Sequence, residues 1–431
     1  PAEPRILGMK KKRFYIVLGA VIVLIIFIVA LAAGLGVGLK KKNDKIVQHP
    51  YCKDHPEYCI GGSLNAEYYS KKGAFNGSGI ALAGESWNAG QRRIFTLYFQ
   101  HHSGDIRQMQ YGNDQLWVGG NRTNVVATDA KNGTSISAVA YTLNKIGWFH
   151  IFYIGRDGFM KQMSQNNETN KWEPGTLNAM NLKAYDSPMV GLQACWKGNF
   201  YGDSDLLNMP GASANSSRAQ APSAINLWYA SSETTFEQYS WINGQQQWTR
   251  LNPWQGKNGH AGVGCYSWDE WSTSTYTMMV NANNDTEIWW RDTNTTARST
   301  DEHPINSWTN TTSGAIRGVH PTTSMGYTTF FYTQMADLTI KGFNISYLSE
   351  NTHIMDNETF TLTDPAGPVK GLPGTHLTCT AYAAFKDKER KVPDWDSLYV
   401  FYQTRGDDVT AFTRGIKGGQ WTRAALNIPD E

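Results

Sequence analysis

The sequence predicts an all-β protein, a six-bladed β-propeller preceded by one N-terminal transmembrane α-helix. Three observations predict it. Phe14 to Leu39 is a 26-residue stretch without charge, bracketed by lysine clusters. Of 431 residues, 13% are aromatic, only 18% are charged and 41 are glycine. That balance fits short strands joined by many turns, and neither a helical bundle nor a disordered chain. Beyond residue 72, one pattern of short runs recurs six times.

The apolar stretch comes first. About 20 helical residues cross a hydrocarbon core, so Phe14 to Leu39 is long enough. It exceeds the apolar core of a cleaved signal peptide. Lys10, Lys11, Lys12 and Arg13 before it, and Lys40, Lys41 and Lys42 after it, disfavour a buried core helix. The expected organisation is a basic cytoplasmic tail over 1–13, a signal anchor over 14–39, a polar extracellular linker over 40–72 and the propeller over 73–431. The missing starting Met leaves room for more tail upstream. Residues 1–45 carry nine Lys/Arg against Glu3 and Asp44, a net of +7 in a chain of net +2, so the remainder carries −5. The basic excess sits beside the membrane segment and not on the large domain, which argues against nucleic acid as a partner.

Orientation follows from sequons, because the basic residues on the two sides of the span nearly tie. Asn76, Asn121, Asn132, Asn167, Asn215, Asn284, Asn294, Asn310, Asn344 and Asn357 each open an Asn-x-Ser/Thr triplet. All follow the span, and many fall in polar turns where a glycan can stand in water. A single-pass membrane protein with its N-terminus in the cytosol and its propeller extracellular or lumenal is expected. Cys52 and Cys59, with six residues between them, are the candidate disulfide. Cys195, Cys265 and Cys379 sit in short apolar strands and read as small core residues. No metal-binding spacing is present, and neither metal nor cofactor is expected.

The repeats begin with an aromatic pair. Tyr98-Phe99 recurs as Phe152-Tyr153, Trp228-Tyr229, Met278-Met279, Phe331-Tyr332 and Phe401-Tyr402. Trp117, Trp172, Trp248, Trp308, Phe360 and Trp421 follow in turn as a second landmark. A short run such as "GSGIALAG", "GTSISAVAY" or "GTHLTCTAY" precedes each pair. Each unit holds three or four strands separated by turn residues. Alone it cannot bury both faces of its sheet, but six packed radially can. The first run is the expected inner strand, and the recurring Trp is expected further out, packed between blades.

Two units carry a resemblance. "LYFQHHSGDIRQ…LWVGG" and "YVFYQTRGDDVTAF…GQWTRAAL" resemble blades of the fungal fucose-binding lectins of the Aleuria type. The start, "PRILGMKKKRFYIVLGAVIVL", is similar to the leader of membrane-tethered fungal relatives. The resemblance implies a six-bladed propeller with sugar pockets between adjacent blades. It implies an Arg on the second strand and a Glu twelve residues later gripping hydroxyls through charge-assisted bonds, with aromatic rings against the apolar face of the sugar. Here those two places hold Thr96 and Gln108, then His150 and Gln162, then Asn226 and Gln238 with Glu237 adjacent. The fourth unit offers Tyr276 and Ile288, the fifth Thr329 and Lys341, the sixth Tyr399 and Ala411. No unit keeps the charged pair. Thr96, Gln108, His150, Gln162, Asn226 and Gln238 are therefore the candidate ligand-binding residues of degenerate sugar sites. An amide both donates to and accepts from hydroxyls, with weaker bonds than a charged pair. The competing reading for the three Gln is a solvated strand position. For His150 and the pair His101-His102 it is plain surface.

Three functions compete on this basis. The first is a membrane-tethered, lectin-like module that binds glycans, fucosylated ones among them, or surface glycoproteins. The second is a propeller scaffold without sugar binding that contacts proteins or cell-wall polymers. The third, a glycosidase, needs a carboxylate pair flanking the scissile bond. Asp269-Glu270 and Asp394-Asp396 are spaced like solvated turns instead, so no catalytic residue is expected.

Overall fold

The computed structural model describes residues 70–431, apart from 88–91, 144–145, 198–222, 243, 268–272, 312–314 and 383–396, together with short strands at Arg5–Ile6, Met9–Lys10, Cys59–Ile60 and Ser63–Leu64. The chain divides into two compact units, Pro1–Ser63 and Leu64–Glu431. In the first, Arg5–Ile6 pairs antiparallel with Met9–Lys10. The anticipated span Phe14 to Leu39 lies outside the described residues, as do Cys52 and the side chain of Cys59. Among the described residues no helix is long and apolar enough to cross a membrane.

Leu64–Glu431 is a six-bladed β-propeller. Each blade is an antiparallel sheet that steps outward strand by strand. The inner strands are Ile80–Trp87, Ile136–Leu143, Leu192–Lys197, Val263–Ser267, Met325–Tyr327 and Leu377–Tyr382. The second strands are Arg92–Gln100, Ile146–Ile154, Ala224–Ser232, Ser274–Val280, Phe331–Gln334 and Ser397–Tyr402. The third are Ile106–Tyr111, Met160–Asn166, Thr235–Ile242, Thr286–Asp292, Ile340–Phe343 and Thr410–Gly415. Short outer strands complete them at Trp117–Gly119, Glu173–Pro174, Thr249–Arg250, Thr309–Asn310, Phe360–Thr361 and Gly418–Ala425. Each inner strand neighbours the next, and that of blade six neighbours that of blade one, so the ring closes.

The second strand of blade one explains why these runs are apolar on both faces. Phe95, Leu97 and Phe99 point into a core shared with Phe401, Val409 and Ala411 of blade six. Tyr98 points the opposite way, into a core shared with Ile136, Ile151 and Tyr153 of blade two. A strand buried on both faces cannot alternate apolar with polar. The landmark Trp residues lie on or beside the outer strands, packed between blades. Trp172 stands edge-on to Tyr98, Trp248 to Phe152, Trp308 to Trp228 and Trp117 to Phe401. In every case the partner belongs to the preceding blade.

A buried glutamine joins blades in three places. Gln100 Nε2 donates to Gly104 O in its own turn and to Lys131 O at the start of blade two, while its Oε1 accepts from Gly133 N. Gln334 does the same between blades five and six, through Leu372 O and Gly374 N. Gln403 donates to Phe75 O, linking blade six to blade one. The last closure is reinforced from both directions. Ser70 donates to Gly406 O and Gly73 N to Asp430. Leu426 and Ile428 enter the core of blade one, and the buried Arg107 donates to Gly120 O and Glu431 O.

Three expectations need correction. Blade five is offset by one residue. Met325 pairs with Thr333 as Ile80 pairs with Phe99, so its two site positions are Phe330 and Gly342 rather than Thr329 and Lys341. Cys195 and Cys265 are not isolated core residues but a disulfide joining the inner strands of blades three and four, with Cα atoms 6.3 Å apart. Cys379 is a buried free thiol. His101 is not a surface residue: it is fully buried, with Nε2 3.0 Å from Pro429 O.

Candidate functional site

The same register holds at the six junctions between blades. At each, the second and third strands of one blade face the third and outer strands of the next. Thr96 and Gln108 lie on one face because Tyr98, two residues from Thr96, pairs directly with Gln108.

At the junction of blades one and two a cavity of about 420 Å³ opens. Gln108 and the stretch Thr123 to Val126 line it from blade one. Gln165, Asn170 and Trp172 line it from blade two, with Lys171 and Glu173 at the rim. Thr96 is almost wholly buried beneath this wall, its hydroxyl accepting from Gln110 Nε2 at 3.2 Å. Gln108 is half-buried and lines this cavity, and its side-chain amide makes no hydrogen bond within the described residues. The cavity lies within the roughly 300–1,000 Å³ range of small-ligand sites.

At the junction of blades two and three the corresponding places are filled. Gln162 Nε2 donates to His150 Nδ1 (3.1 Å), and Gln162 Oε1 accepts from Leu177 N (3.0 Å). An amide nitrogen only donates, so Nδ1 is the acceptor and the ring proton resides on Nε2, which meets the Tyr141 hydroxyl at 3.2 Å. Burial pushes the His150 pKa down to about 4 and keeps it neutral. Tyr141 stacks on Trp196 with centroids 3.8 Å apart, and Trp148 and Trp241 pack around the imidazole. Neither His150 nor Gln162 is a solvated strand residue.

At the junction of blades three and four, Trp254 Nε1 donates to Gln238 Oε1 at 3.0 Å. The Trp254 ring stands edge-on to Trp289 and Trp308. Gln238 is buried and Asn226 half-buried. Glu237, one place along, is tied to Arg250 at 2.7 Å.

Aromatic side chains also occupy the remaining three junctions. Tyr276 stands with Tyr266, Tyr327 and Tyr347 between blades four and five. Between blades five and six the Arg414 guanidinium lies 3.9 Å from the Phe360 ring centre and 4.9 Å from that of Trp421, with Phe330 alongside. Gly342 leaves room for the Phe360 ring, whose nearest atom would be 2.3 Å from an added Cβ. Between blades six and one, Tyr399 and Tyr111 share a 3.3 Å hydroxyl contact within a cluster that includes Phe95 and Trp117.

Of the six residues singled out from sequence, Gln108 alone both lines the cavity and keeps its side chain unengaged. Gln165 and Asn124 were not foreseen. Trp172 was recognised, but only as an interblade packing residue; its ring serves as cavity wall as well. Its recurrence after each aromatic pair was the available signal. Asp269-Glu270 and Asp394-Asp396 lie outside the described residues, as does Asn215.

Residues 75–197 match the family model for fungal fucose-specific lectin, a stretch that covers blades one and two and the inner strand of blade three. The fucose-specific lectin of Aleuria aurantia is 29% identical over 119 residues, which are 27% of this chain and 36% of that relative. The match thus spans about a third of the curated relative's length. Among solved structures, the Aleuria aurantia lectin, itself a six-bladed propeller with a fucose recognition mode, superposes with a TM-score of 0.59 at 19% identity, covering 83% of this chain and 98% of that one. A variant of that lectin in complex with alpha-methyl-L-fucoside gives a TM-score of 0.60 at 18% identity over the same shares. AofleA from Arthrobotrys oligospora gives 0.55 at 11% identity, covering 84% of this chain and 89% of that one. At these identities the structural likeness is one of fold. The chain is a six-bladed β-propeller whose first two blades are similar in sequence to the fungal fucose-specific lectins.

Proposed function

We propose that the protein is a carbohydrate-binding propeller that takes a neutral sugar, fucose among the candidates, at the junction of blades one and two. The observation that carries this reading is a coincidence of place. The stretch matched by the lectin family model contains the junction that stays open, and there Gln108 and Trp172 face a common cavity. The amide of Gln108 offers one donor and one acceptor pair to hydroxyls, and Trp172 offers a rigid apolar wall. Without an Arg–Glu pair each contact is weaker, so useful avidity requires many copies on one surface. The sugar sites at the other junctions are degenerate in this reading, because the chain's own aromatic rings stand in them. The lectin relatives favour binding over catalysis, and among the described residues that line the cavity Glu173 is the one carboxylate.

The reading includes a membrane tether. Phe14 to Leu39 has the length and flanking charge of a single-pass anchor. Export of the propeller is supported by the sequons and by the Cys195–Cys265 disulfide, a bond typical of oxidising compartments. Filled junctions also favour a second reading, a scaffold that contacts proteins or wall polymers through its faces.

A glycan array probed with the purified protein separates the two. Defined glycan binding that is lost in Gln108→Ala and in Gln165→Ala, and competed by free sugar, is the expected result. A blank array from folded, multivalent protein refutes sugar binding and leaves the scaffold.

A further inference from the structure

Two sequons flank the open cavity, one from each blade. Asn121-Arg122-Thr123 belongs to blade one, and Thr123 is itself a lining residue. Asn167-Glu168-Thr169 belongs to blade two, in the turn after its third strand, between the lining residues Gln165 and Asn170. Both asparagines are exposed. In both, Oδ1 is the engaged atom. Asn121 Oδ1 accepts from Thr123 N (3.0 Å) and Thr123 Oγ1 (2.7 Å), and Asn167 Oδ1 accepts from Gly147 N (3.1 Å). Nδ2, the atom that a glycan would occupy, makes no hydrogen bond within the described residues in either case. A glycan on Nδ2 therefore removes no hydrogen bond among the described residues.

We propose that Asn121 and Asn167 carry N-linked oligosaccharides and that these two chains gate the cavity from opposite walls. The modification is a transfer from a polyprenyl-diphosphate-linked oligosaccharide. The amide nitrogen forms a bond to the anomeric carbon, the anomeric carbon–oxygen bond breaks, the polyprenyl diphosphate leaves with the electron pair and the nitrogen loses one proton. Two bulky hydrophilic chains over one opening admit a slender chain end and exclude a branched or bulky ligand. Selectivity then comes from steric access, in a site whose neutral contacts discriminate weakly. This inference rests on the sugar-binding reading for its purpose, and its test does not read sugar binding.

The test uses the full chain made in a glycosylating eukaryotic host, with Gln108→Cys as a reporter inside the cavity and the unsubstituted protein as background. Peptide mass mapping establishes occupancy of Asn121 and Asn167. Labelling of the reporter is then timed with N-ethylmaleimide and with a polyethylene-glycol maleimide of several kilodaltons. With glycans in place, the large reagent is expected to label about tenfold more slowly relative to the small one, equal to about 1.4 kcal/mol of lost access. The discrimination is expected to collapse when Asn121→Gln and Asn167→Gln are combined, and equally after enzymatic deglycosylation of the folded protein, which needs no substitution. Absence of glycan at both positions, or discrimination unchanged by its removal, overturns the proposal. A blank glycan array would refute the sugar reading alone and leave these rates as they are.

Discussion

The ring of Trp172 in blade two stands edge-on to that of Tyr98 in blade one, with centroids 6.0 Å apart and planes at 86°. Trp172 also lines the cavity between the two blades. One side chain thus couples blade packing to ligand recognition. Trp248 makes the equivalent contact with Phe152 but is buried. Trp248→Ala is expected to lower stability by about 3–5 kcal/mol, the usual loss for a buried Trp, and Trp172→Ala by less. Denaturant titration of both variants checks the order. Trp172→Ala alone is expected to impair sugar binding once both proteins are folded.

The three glutamines at equivalent positions should behave differently. Gln108→Ala is expected to leave stability within about 0.5 kcal/mol, since its amide has no partner to strand. Gln162→Ala strands Leu177 N and leaves His150 Nδ1 with the Ser164 hydroxyl (2.9 Å) as its partner, and Gln238→Ala strands Trp254 Nε1. Each is expected to lower stability by about 1–3 kcal/mol. Paired measurements of glycan binding and thermal unfolding distinguish the classes. Binding should fall in the first variant and persist in the other two.

The Cys195–Cys265 bond closes a loop with a sequence separation of 70. By the chain-entropy argument, replacing both with Ser lowers stability by about 4 kcal/mol. Guanidinium unfolding with and without reductant should show the same shift in the parent protein and none in the variant. Burial holds the Cys379 thiol well above its usual pKa, so it should resist alkylation until unfolding.

His303 bridges Asp292 (3.0 Å) and Glu350 (2.7 Å). The hydrogen bond with Asp292, then that with Glu350, raises its pKa against the opposing effect of burial. A raised histidine stabilises fully below its unfolded value, about 6.5, and loses that contribution as pH rises through the folded value. Burial pushes Asp292 upward, but bonds from Thr273 and His303 outweigh it and hold the carboxyl low. Its contribution is present above about pH 3.9 and disappears as pH falls through the folded value. The clasp should therefore be strongest between about pH 4 and 6.5. His303→Gln is expected to flatten that part of the stability–pH curve by no more than about 1 kcal/mol, because the group is open to solvent. Unfolding free energies at pH 5.5 and 8.5 measure the difference.

The blades were legible because their second strands are buried on both faces and must repeat an aromatic pair. Legibility failed where that pair eroded. In blade five, Thr333 stands where Phe99 and Tyr402 stand elsewhere, and the register slipped by one residue. The disulfide escaped because its cysteines, far apart in sequence, meet only when neighbouring inner strands align. The filled junctions escaped for a similar reason. Trp254 and Tyr347 arrive from connections outside the repeat, and no spacing rule announces that they will stand in a sugar position. Gln162 and Gln238 look like Gln108 in sequence, and only the rings and donors around them set them apart.

The docking of residues 426–431 onto blade one has a consequence for how the protein is made. Arg107 meets Glu431 across 324 positions of sequence. At 5–20 residues per second, the ribosome needs roughly 15–65 seconds to supply that stretch. Throughout that interval the first blade has emerged with an apolar flank that nothing yet covers. It is the earliest part of the propeller to be synthesised and the latest to be finished, and holdase chaperones have their longest window of engagement there.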